Sequence, residues 1–428
     1  MTGREVVRTY LGITGLFNLA MSLIWGIDTL FKLAAGLDIM QVMLTNAAFT
    51  LGMMVFEIPT GVVADTLGRR ISLLCCLATL FVSTLLYVTI AWQGWGFGPF
   101  MWASAFLGLG YTFYTGAVDA WLVDALKATG HSEPLEPVFA KGQMMFGAAM
   151  LVGTIGGGLL GQVHLSLPYV VRAAAILPLF ALAWLRMHDL GYTPRALALA
   201  RVPAEMRRVF LDGMRYGLSH RVLRPVMLAS LVNMSFLIFG FYSWQRYFLD
   251  LLGRELVWVS GVIAALTALS TIAGNALVGW PTARGSSRPG ILMLSVAVQA
   301  AMIVGAGALG LGVGGGSWRF YAVVGLYLVY GVALGVSMPV KQGYVNDHIP
   351  SAQRATIISL DSFFANLGGV AGQSGWGYLA RTRSIAEAWV YAGAALLVGV
   401  PLYWMGARGE RGMGKGERET AEPGRVAT

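Results

Sequence analysis

Charge is scarce in this chain: charged residues fill 12% of its 428 positions, against about a quarter in a soluble domain. Cysteine is scarcer still. Cys75 and Cys76 are the two present, and adjacent cysteines inside an apolar segment give a strained disulfide and no metal-ligand spacing. The five histidines, His131, His164, His188, His220 and His348, lie far apart and mostly between apolar segments, so neither a metal centre nor a histidine relay is expected. A phosphate-binding Gly-Lys-Ser/Thr loop is missing, which argues against a built-in ATPase. No catalytic constellation stands at a segment end, so an enzyme is not expected, and no cofactor is implied. Met1 to Arg8 is polar, and the apolar run that follows contains Trp25, Asp28 and Lys32 without a small-residue cleavage site. That first segment is expected to stay in the mature protein.

What is abundant is apolar surface. Hydrophobic residues make up 56% of the chain and the mean hydropathy is +0.66, so the expected solvent is a lipid bilayer. A net charge of +9 could suggest nucleic acid, but the basic residues are scattered at segment ends without a basic domain or aromatic-interleaved patch. The excess reads as topological.

A crossing needs about 20 mostly apolar residues. About twelve such stretches are present, near 9–35, 38–63, 71–93, 98–127, 137–163, 167–187, 222–251, 255–280, 289–312, 318–346, 353–380 and 384–406. The predicted fold class is therefore an all-α polytopic membrane protein with twelve transmembrane helices in two pseudo-symmetric six-helix bundles. The expected organisation is an N-terminal bundle at 1–187, a linker at 188–221, a C-terminal bundle at 222–406 and a disordered tail at 407–428. Within the linker Met206, Val209, Phe210 and Met214 recur at helical spacing with charges between them, which predicts an amphipathic surface helix. With both termini cytoplasmic, Arg4, Arg8, Arg69, Arg70, Lys127, the linker arginines, Arg284, Arg288, Arg354 and the tail residues all fall inside. Roughly twenty basic residues then face inward against about seven outward, as the positive-inside rule requires.

The halves echo each other. Lys141 with Gly156, Gly157 and Gly161 parallels Arg354 with Gly368, Gly369 and Gly372. Two six-helix repeats around a central cavity are a known transporter plan, and glycines at such spacing let helices pack closely, with or without a gating role.

The segment Glu57-Ile-Pro-Thr-Gly61-Val-Val-Ala-Asp65-Thr-Leu-Gly68-Arg69-Arg70 carries one apolar helix into a Gly-Arg-Arg turn and straight into another. It fits the pattern Gly-x-x-x-Asp-x-x-Gly-Arg-Arg through Gly61, Asp65, Gly68, Arg69 and Arg70. On this motif the chain resembles the major facilitator superfamily, over nearly its whole length. The resemblance implies a gating motif whose aspartate faces the start of the eleventh helix and latches the outward-open state. A carboxylate at a helix N-terminus gains up to about 2 kcal/mol when partly buried, enough to bias two states of similar energy. Glu57 to Gly61, the run Thr115-Gly-Ala-Val-Asp119-Ala-Trp-Leu-Val-Asp124, and Arg354-Ala-Thr-Ile-Ile-Ser-Leu360 are similar to a bacterial branch grouped with drug/proton antiporters. Two departures stand against that: the fourth helix has carboxylates where many antiporters carry arginine, and Gly153-Thr-Ile-Gly156-Gly157-Gly158 lacks the Gly-Pro pair. The counterpart loop, Gly279 to Arg288, keeps basic residues without the acid.

Ionisable residues inside crossings cost about 2.5–3.5 kcal/mol each at mid-helix and so need a reason. Glu57 and Asp119 each lie about two turns, roughly 12 Å, from a segment end. Burial favours the protonated form of a carboxylate, so either residue could carry the coupling proton, or equally a buried hydrogen bond or an ion pair with Lys141. Asp28 pairs at i, i+4 with Lys32 and could neutralise itself. Asp361, beside Ser362 and Asn366, has no sequence partner, and it and Asp28 join Glu57 and Asp119 as candidates for proton or substrate coupling. Arg246 with Asp250 suggests a structural pair or an outer gate. Lys341, after Pro339, could meet an anionic group or snorkel to the interface. Asp124 and Lys141 complete the secondary candidates. Tyr111, Phe113 and Tyr114, and Phe239, Phe241, Tyr242 and Trp244, suit either a greasy pocket or ordinary packing.

The predicted function is secondary active transport by alternating access: proton-coupled efflux of a small amphipathic or drug-like compound, with symport or uniport of a sugar or organic anion as the alternative. The expected partners are a small-molecule substrate, protons and the lipid bilayer, with no nucleic acid. The expected state is a monomer in a bacterial inner membrane.

Overall fold

The computed structural model describes residues 1–130, 134–192, 214–215, 217–253, 256–279, 285–311, 317–349 and 354–412. Residues 193–213, which hold most of the expected surface helix, and the tail beyond 412 lie outside the described residues. All regular structure among the described residues is helical. The chain divides into two compact units, Met1–Pro203 with Gly253–Ala265, and Ala204–Leu252 with Leu266–Thr428.

The first eight helices are α1 (Gly3–Ser22), α2 (Asp28–Ala34), α3 (Ile39–Leu67), α4 (Arg69–Gln93), α5 (Phe97–Thr112), α6 (Ala117–Ala128), α7 (Glu136–Val163) and α8 (Leu167–Arg186). Capping boxes start two of them. Thr2 and Glu5 satisfy each other's backbone N–H at α1, and Asp38 and Gln41 do so at α3, covering donors that a helix start leaves open. The following helices are α9 (Leu223–Leu252), α10 (Trp258–Leu277), α11 (Arg288–Gly310), α12 (Trp318–Asp347), α13 (Arg354–Thr382), α14 (Ile385–Leu396) and α15 (Gly399–Gly412).

Nine helical segments among the described residues are long and apolar enough to cross a membrane: α3, α4, α7 to α12, and the run Ile385–Arg411. Three of the twelve expected stretches differ, each for a physical reason. The stretch near 9–35 is broken into α1 and α2, and that near 98–127 into α5 and α6, of 16 and 12 residues. The stretch near 353–380 is the unbroken α13, diluted by Ser362, Asn366, Gln373 and Ser374. The break between α5 and α6 does not leave its backbone bare: the Ser72 hydroxyl donates to the Phe113 carbonyl at 2.7 Å, as non-helical backbone at membrane depth requires.

The surface is that of a lipid-solvated protein. Trp102 is 80%, Val163 77%, Met144 74% and Leu294 68% exposed, whereas small and polar residues turn inward. Ser22, Thr45, Ser83 and Ser104 on α1, α3, α4 and α5 are each 0% exposed. Lipid tails are as apolar as leucine, so helices associate through close packing and hydrogen bonds. In the first unit Gly157 lies against the Leu23 carbonyl, and Gly52 and Gly108 bring α3 and α5 together backbone to backbone. In the second unit Gly368 and Gly372 lie against the carbonyls of Leu231 and Ser235, and Gly274 and Gly335 bring α10 and α12 together. Within the expected glycine echo, Gly157, Gly368 and Gly372 share this content, a helix backbone approached too closely for any side chain, whereas Gly161 and Gly369 meet only side chains and Gly156 faces open space.

The core of the second unit centres on Trp389, which is 0% exposed, donates to Ser243 at 2.9 Å and touches Phe236, Tyr247, Phe248 and Tyr327. Phe239 and Trp244 are also buried, at 0% and 2%. These two α9 aromatics are packing groups, while Phe241 is 37% exposed. In the first unit Phe17 stacks on Tyr114 with ring centroids 3.7 Å apart.

Candidate functional site: a charged cavity and a charged turn

Asp361 lies about two turns into α13, and its partners come from two other helices. Its Oδ1 accepts from the Ser230 hydroxyl on α9 at 2.6 Å, and its Oδ2 lies 2.8 Å from Lys341 Nζ on α12. Lys341 Nζ also donates to Ser230 Oγ at 2.8 Å, closing a triangle. Pro339, two residues before the lysine, removes one N–H from the α12 ladder. The triangle lies on the wall of a cavity of about 710 Å³ inside the second unit. The lining is mostly apolar, with Met234, Leu237 and Met338 among it, and carries the carboxamides of Asn233, Asn275, Gln299, Gln342 and Asn346 together with Ser337 and Tyr403. The Asn233 Oδ1 is buried without a hydrogen-bond donor. Such a lining offers apolar contact, neutral hydrogen bonding and one exchangeable ion pair.

In the first unit Asp119 sits in the first turn of α6, where a helix N-terminus favours negative charge. It accepts from the Tyr10 hydroxyl of α1 at 3.1 Å. Glu57 is exposed on α3, between Phe56 and Ile58, which are 37% and 45% exposed. Asp28 is different: its Oδ2 pairs with Lys32 at 2.8 Å and its Oδ1 accepts from Tyr169 at 2.7 Å, all of them buried. Asn46 Oδ1 accepts a further hydrogen bond from Lys32 at 2.5 Å. Arg246 and Asp250 form the expected i, i+4 pair at 2.8 Å on α9. Lys141 is exposed on α7 and Asp124 half-buried on α6.

The motif turn is built on Gly68, whose φ of +108° is open to glycine and strained for other residues. Asp65 pairs with Arg69 at 2.7 Å across that turn. The side chains at the start of α13, which the motif's aspartate is expected to face, lie outside the described residues. Arg70 turns to its own unit: its Nη2 donates to the Trp184 carbonyl at 2.6 Å and its guanidinium lies 4.8 Å from the Trp184 ring. Asp189, three residues past α8, accepts from the Arg70 backbone N–H at 3.0 Å and so caps α4. Burial pushes the Asp189 carboxyl above its ordinary range, against the pull of Arg70 and Arg69. Gly61 faces open space.

The family model of the Major Facilitator Superfamily matches residues 10–372. The chain belongs to the Major Facilitator Superfamily. Membership, with the long apolar helices, makes it a multi-pass membrane protein. Among curated proteins it is similar to the uncharacterized MFS-type transporter YxaM of Bacillus subtilis (strain 168), at 23% identity over 178 residues, 40% of this chain and 41% of that one. The match thus spans less than half the length of that relative. Solved structures of similar fold include the nucleoside transporter NupG, with a TM-score of 0.73 at 13% identity, covering 94% of this chain and 98% of that one. The peptide transporter POT gives 0.70 at 15%, covering 95% of each. The D-xylose-proton symporter gives 0.64 at 12%, covering 94% and 97%.

On this superfamily scaffold sequence reasoning passes over four residues. Ser230 and Tyr10 are ordinary in sequence and become site residues only through packing. Asp189 carries a usable signal, an acid directly after an apolar segment. Arg172, the sixth residue of α8, is a charged residue inside a crossing and is itself the signal.

Proposed function

We propose that the chain is a proton-coupled secondary transporter that exports a small amphipathic compound. Its twelve crossings form two six-helix bundles, 1–187 and 222–406, which rock about a central site. The linker 188–221, the tail 407–428 and both termini are cytoplasmic, and the chain acts as a monomer in a bacterial inner membrane. The observation that carries this reading is the Lys341–Asp361 pair on a cavity wall, 2.8 Å apart and bridged by Ser230.

A proton on Asp361 neutralises the carboxylate and releases Lys341 toward the cavity amides, and loss of the proton draws the ammonium back. A cationic group on a substrate competes with Lys341 and the proton for the same oxygens, and that competition couples the two fluxes. Asp119 and Glu57 hold or relay the proton in the other bundle, and the motif Gly61, Asp65, Gly68, Arg69 and Arg70 acts as the gate. One charge moving down 100 mV releases about 2.3 kcal/mol, and each pH unit adds about 1.4 kcal/mol. At 100 mV and one pH unit, one proton therefore sustains a several-hundredfold gradient of an uncharged substrate, and about tenfold for a monovalent cation exchanged one for one.

The test is dye and antibiotic transport in proteoliposomes under an imposed pH gradient. Wild-type protein is expected to drive export, and Asp361→Asn, Asp119→Asn and Glu57→Gln to remove the dependence on the gradient while the protein stays folded. Gradient-driven transport by all three variants would overturn the coupling assignment. A second reading, symport of an uncharged polar solute, is favoured by the carboxamide lining and by the unsatisfied Asn233 Oδ1. The nucleoside and D-xylose transporters of similar fold keep that reading in view. Solute accumulation in the direction opposite to export distinguishes it.

A further inference from the structure

Arg172 is 1% exposed in the core of the first unit. Its Nη2 donates to the Met21 thioether of α1 at 3.2 Å, and its Nε is buried without an acceptor. A guanidinium does not lose its proton in a protein, and a thioether is a weak acceptor. The residue therefore keeps a full positive charge with almost nothing to balance it.

The neighbouring acid is already committed. Asp28 takes Lys32 at 2.8 Å and the Tyr169 hydroxyl at 2.7 Å. Arg172 stands three residues after Tyr169 on α8, and the Tyr169 hydroxyl donates to Asp28, which pairs with Lys32, so the three charges belong to one polar layer. That layer holds two cations and one carboxylate, an excess of one positive charge. No carboxylate pairs with Arg172 among the described residues. A second donor nearby in the network, Asn46 Nδ2, is also buried without an acceptor. Buried charges are retained only when paired and hydrogen-bonded.

We infer that Arg172 holds a small inorganic monovalent anion of the halide class between α1, α4 and α8. The anion supplies the missing negative charge and the missing acceptor together. A water molecule would supply the acceptor alone and leave the charge excess in place. Arg172, Met21 and Tyr169 are each 1% exposed and Cys76 0%, so a site this enclosed suits a monatomic ion better than a bulkier carboxylate or phosphate. The ion is a structural ligand that ties three helices, and the inference stands whether or not protons drive transport.

The full chain is purified in a gluconate buffer, and its unfolding temperature is followed while chloride or bromide replaces gluconate at constant ionic strength. A saturating rise is expected with both halides. Arg172→Met is expected to be flat in the same titration. If that variant does not fold, Arg172→Lys keeps the charge with fewer donors and is expected to move the halide midpoint up by about tenfold or more. A flat wild-type titration, or a response of Arg172→Met equal to wild type, overturns the inference. In bromide-grown crystals an anomalous peak against the guanidinium is the expected result, and a peak only at surface sites overturns it.

Discussion

Lys341 Nζ stands 2.8 Å from Asp361 Oδ2, and Ser230 Oγ bonds both partners, at 2.8 Å to the ammonium and 2.6 Å to the carboxylate. Three helices, α9, α12 and α13, therefore meet on one shared set of hydrogen bonds. Removing either charge strands the other. Breaking a fully buried pair costs about 3–5 kcal/mol, but the side chains here keep 25% and 15% of their exposure. Asp361→Asn and Lys341→Gln are therefore expected to destabilise by less than that, about 1–3 kcal/mol each. The double variant is expected to regain most of that loss while gradient-driven transport stays absent. Unfolding temperature and proteoliposome flux, measured on the same preparations, check both halves of the prediction.

Some glycines lie against a neighbouring backbone, and others, Gly61 among them, face open space. A side chain at Gly368 would collide with the Leu231 carbonyl, and one at Gly157 with the Leu23 carbonyl, whereas Gly61 has open space around it. Backbone atoms cannot move aside as a flexible side chain can. Gly368→Val and Gly157→Val are expected to reduce folded yield and unfolding temperature sharply. Gly61→Ala is expected to fold at least as well as wild type, because alanine is the better helix former by about 0.5–1 kcal/mol. Any loss of flux in Gly61→Ala then reports on gating, and size-exclusion profiles separate the cases.

Local chemistry is what the sequence makes legible. The pairs Asp28–Lys32 and Arg246–Asp250 are readable because four residues make one helical turn. The Gly68 turn is readable because one glycine between two apolar helices must solve a backbone problem. Hydropathy gives the membrane class, yet it misses the breaks after Ser22 and Thr112, since short turns inside an apolar run leave its average unchanged. Long-range partners are illegible: Asp361 finds Ser230 131 residues away, Asp119 finds Tyr10 across 109, and Arg70 finds Asp189 across 119. No periodicity encodes those distances.

Asp189 gives the motif turn a pH dependence of definite sign. Burial lifts its carboxyl above the ordinary 3.8, and the Arg70 N–H and charge oppose the shift without cancelling it. The folded chain thus holds this proton more tightly than the unfolded chain. The contribution to stability is complete below 3.8 and is lost as pH rises through the folded-state value. Asp189→Asn keeps an acceptor for the Arg70 N–H and removes the titration. The wild type is expected to lose stability relative to Asp189→Asn over that window. Equilibrium unfolding across the acid range, with exchange of the Arg70 amide as the local probe, checks it. A difference that stays constant with pH would sink the assignment.

Asp28 separates structure from coupling most cleanly. Its two oxygens are taken by Lys32 and Tyr169, and Lys32 is 1% exposed and further held by Asn46. Both carboxylates have both oxygens bonded, but the partners of Asp28 are each 1% exposed, whereas Asp361 lies on the wall of the cavity. Asp28→Asn alone leaves a buried ammonium unbalanced and is expected to cost about 3–5 kcal/mol. Asp28→Asn combined with Lys32→Met removes both charges and is expected to recover most of that stability. Because the pair is then a structural unit, the double variant is expected to keep gradient-driven transport in the same vesicle assay that Asp361→Asn abolishes. Loss of coupling in a stably folded double variant would move the proton site from the second unit into the first.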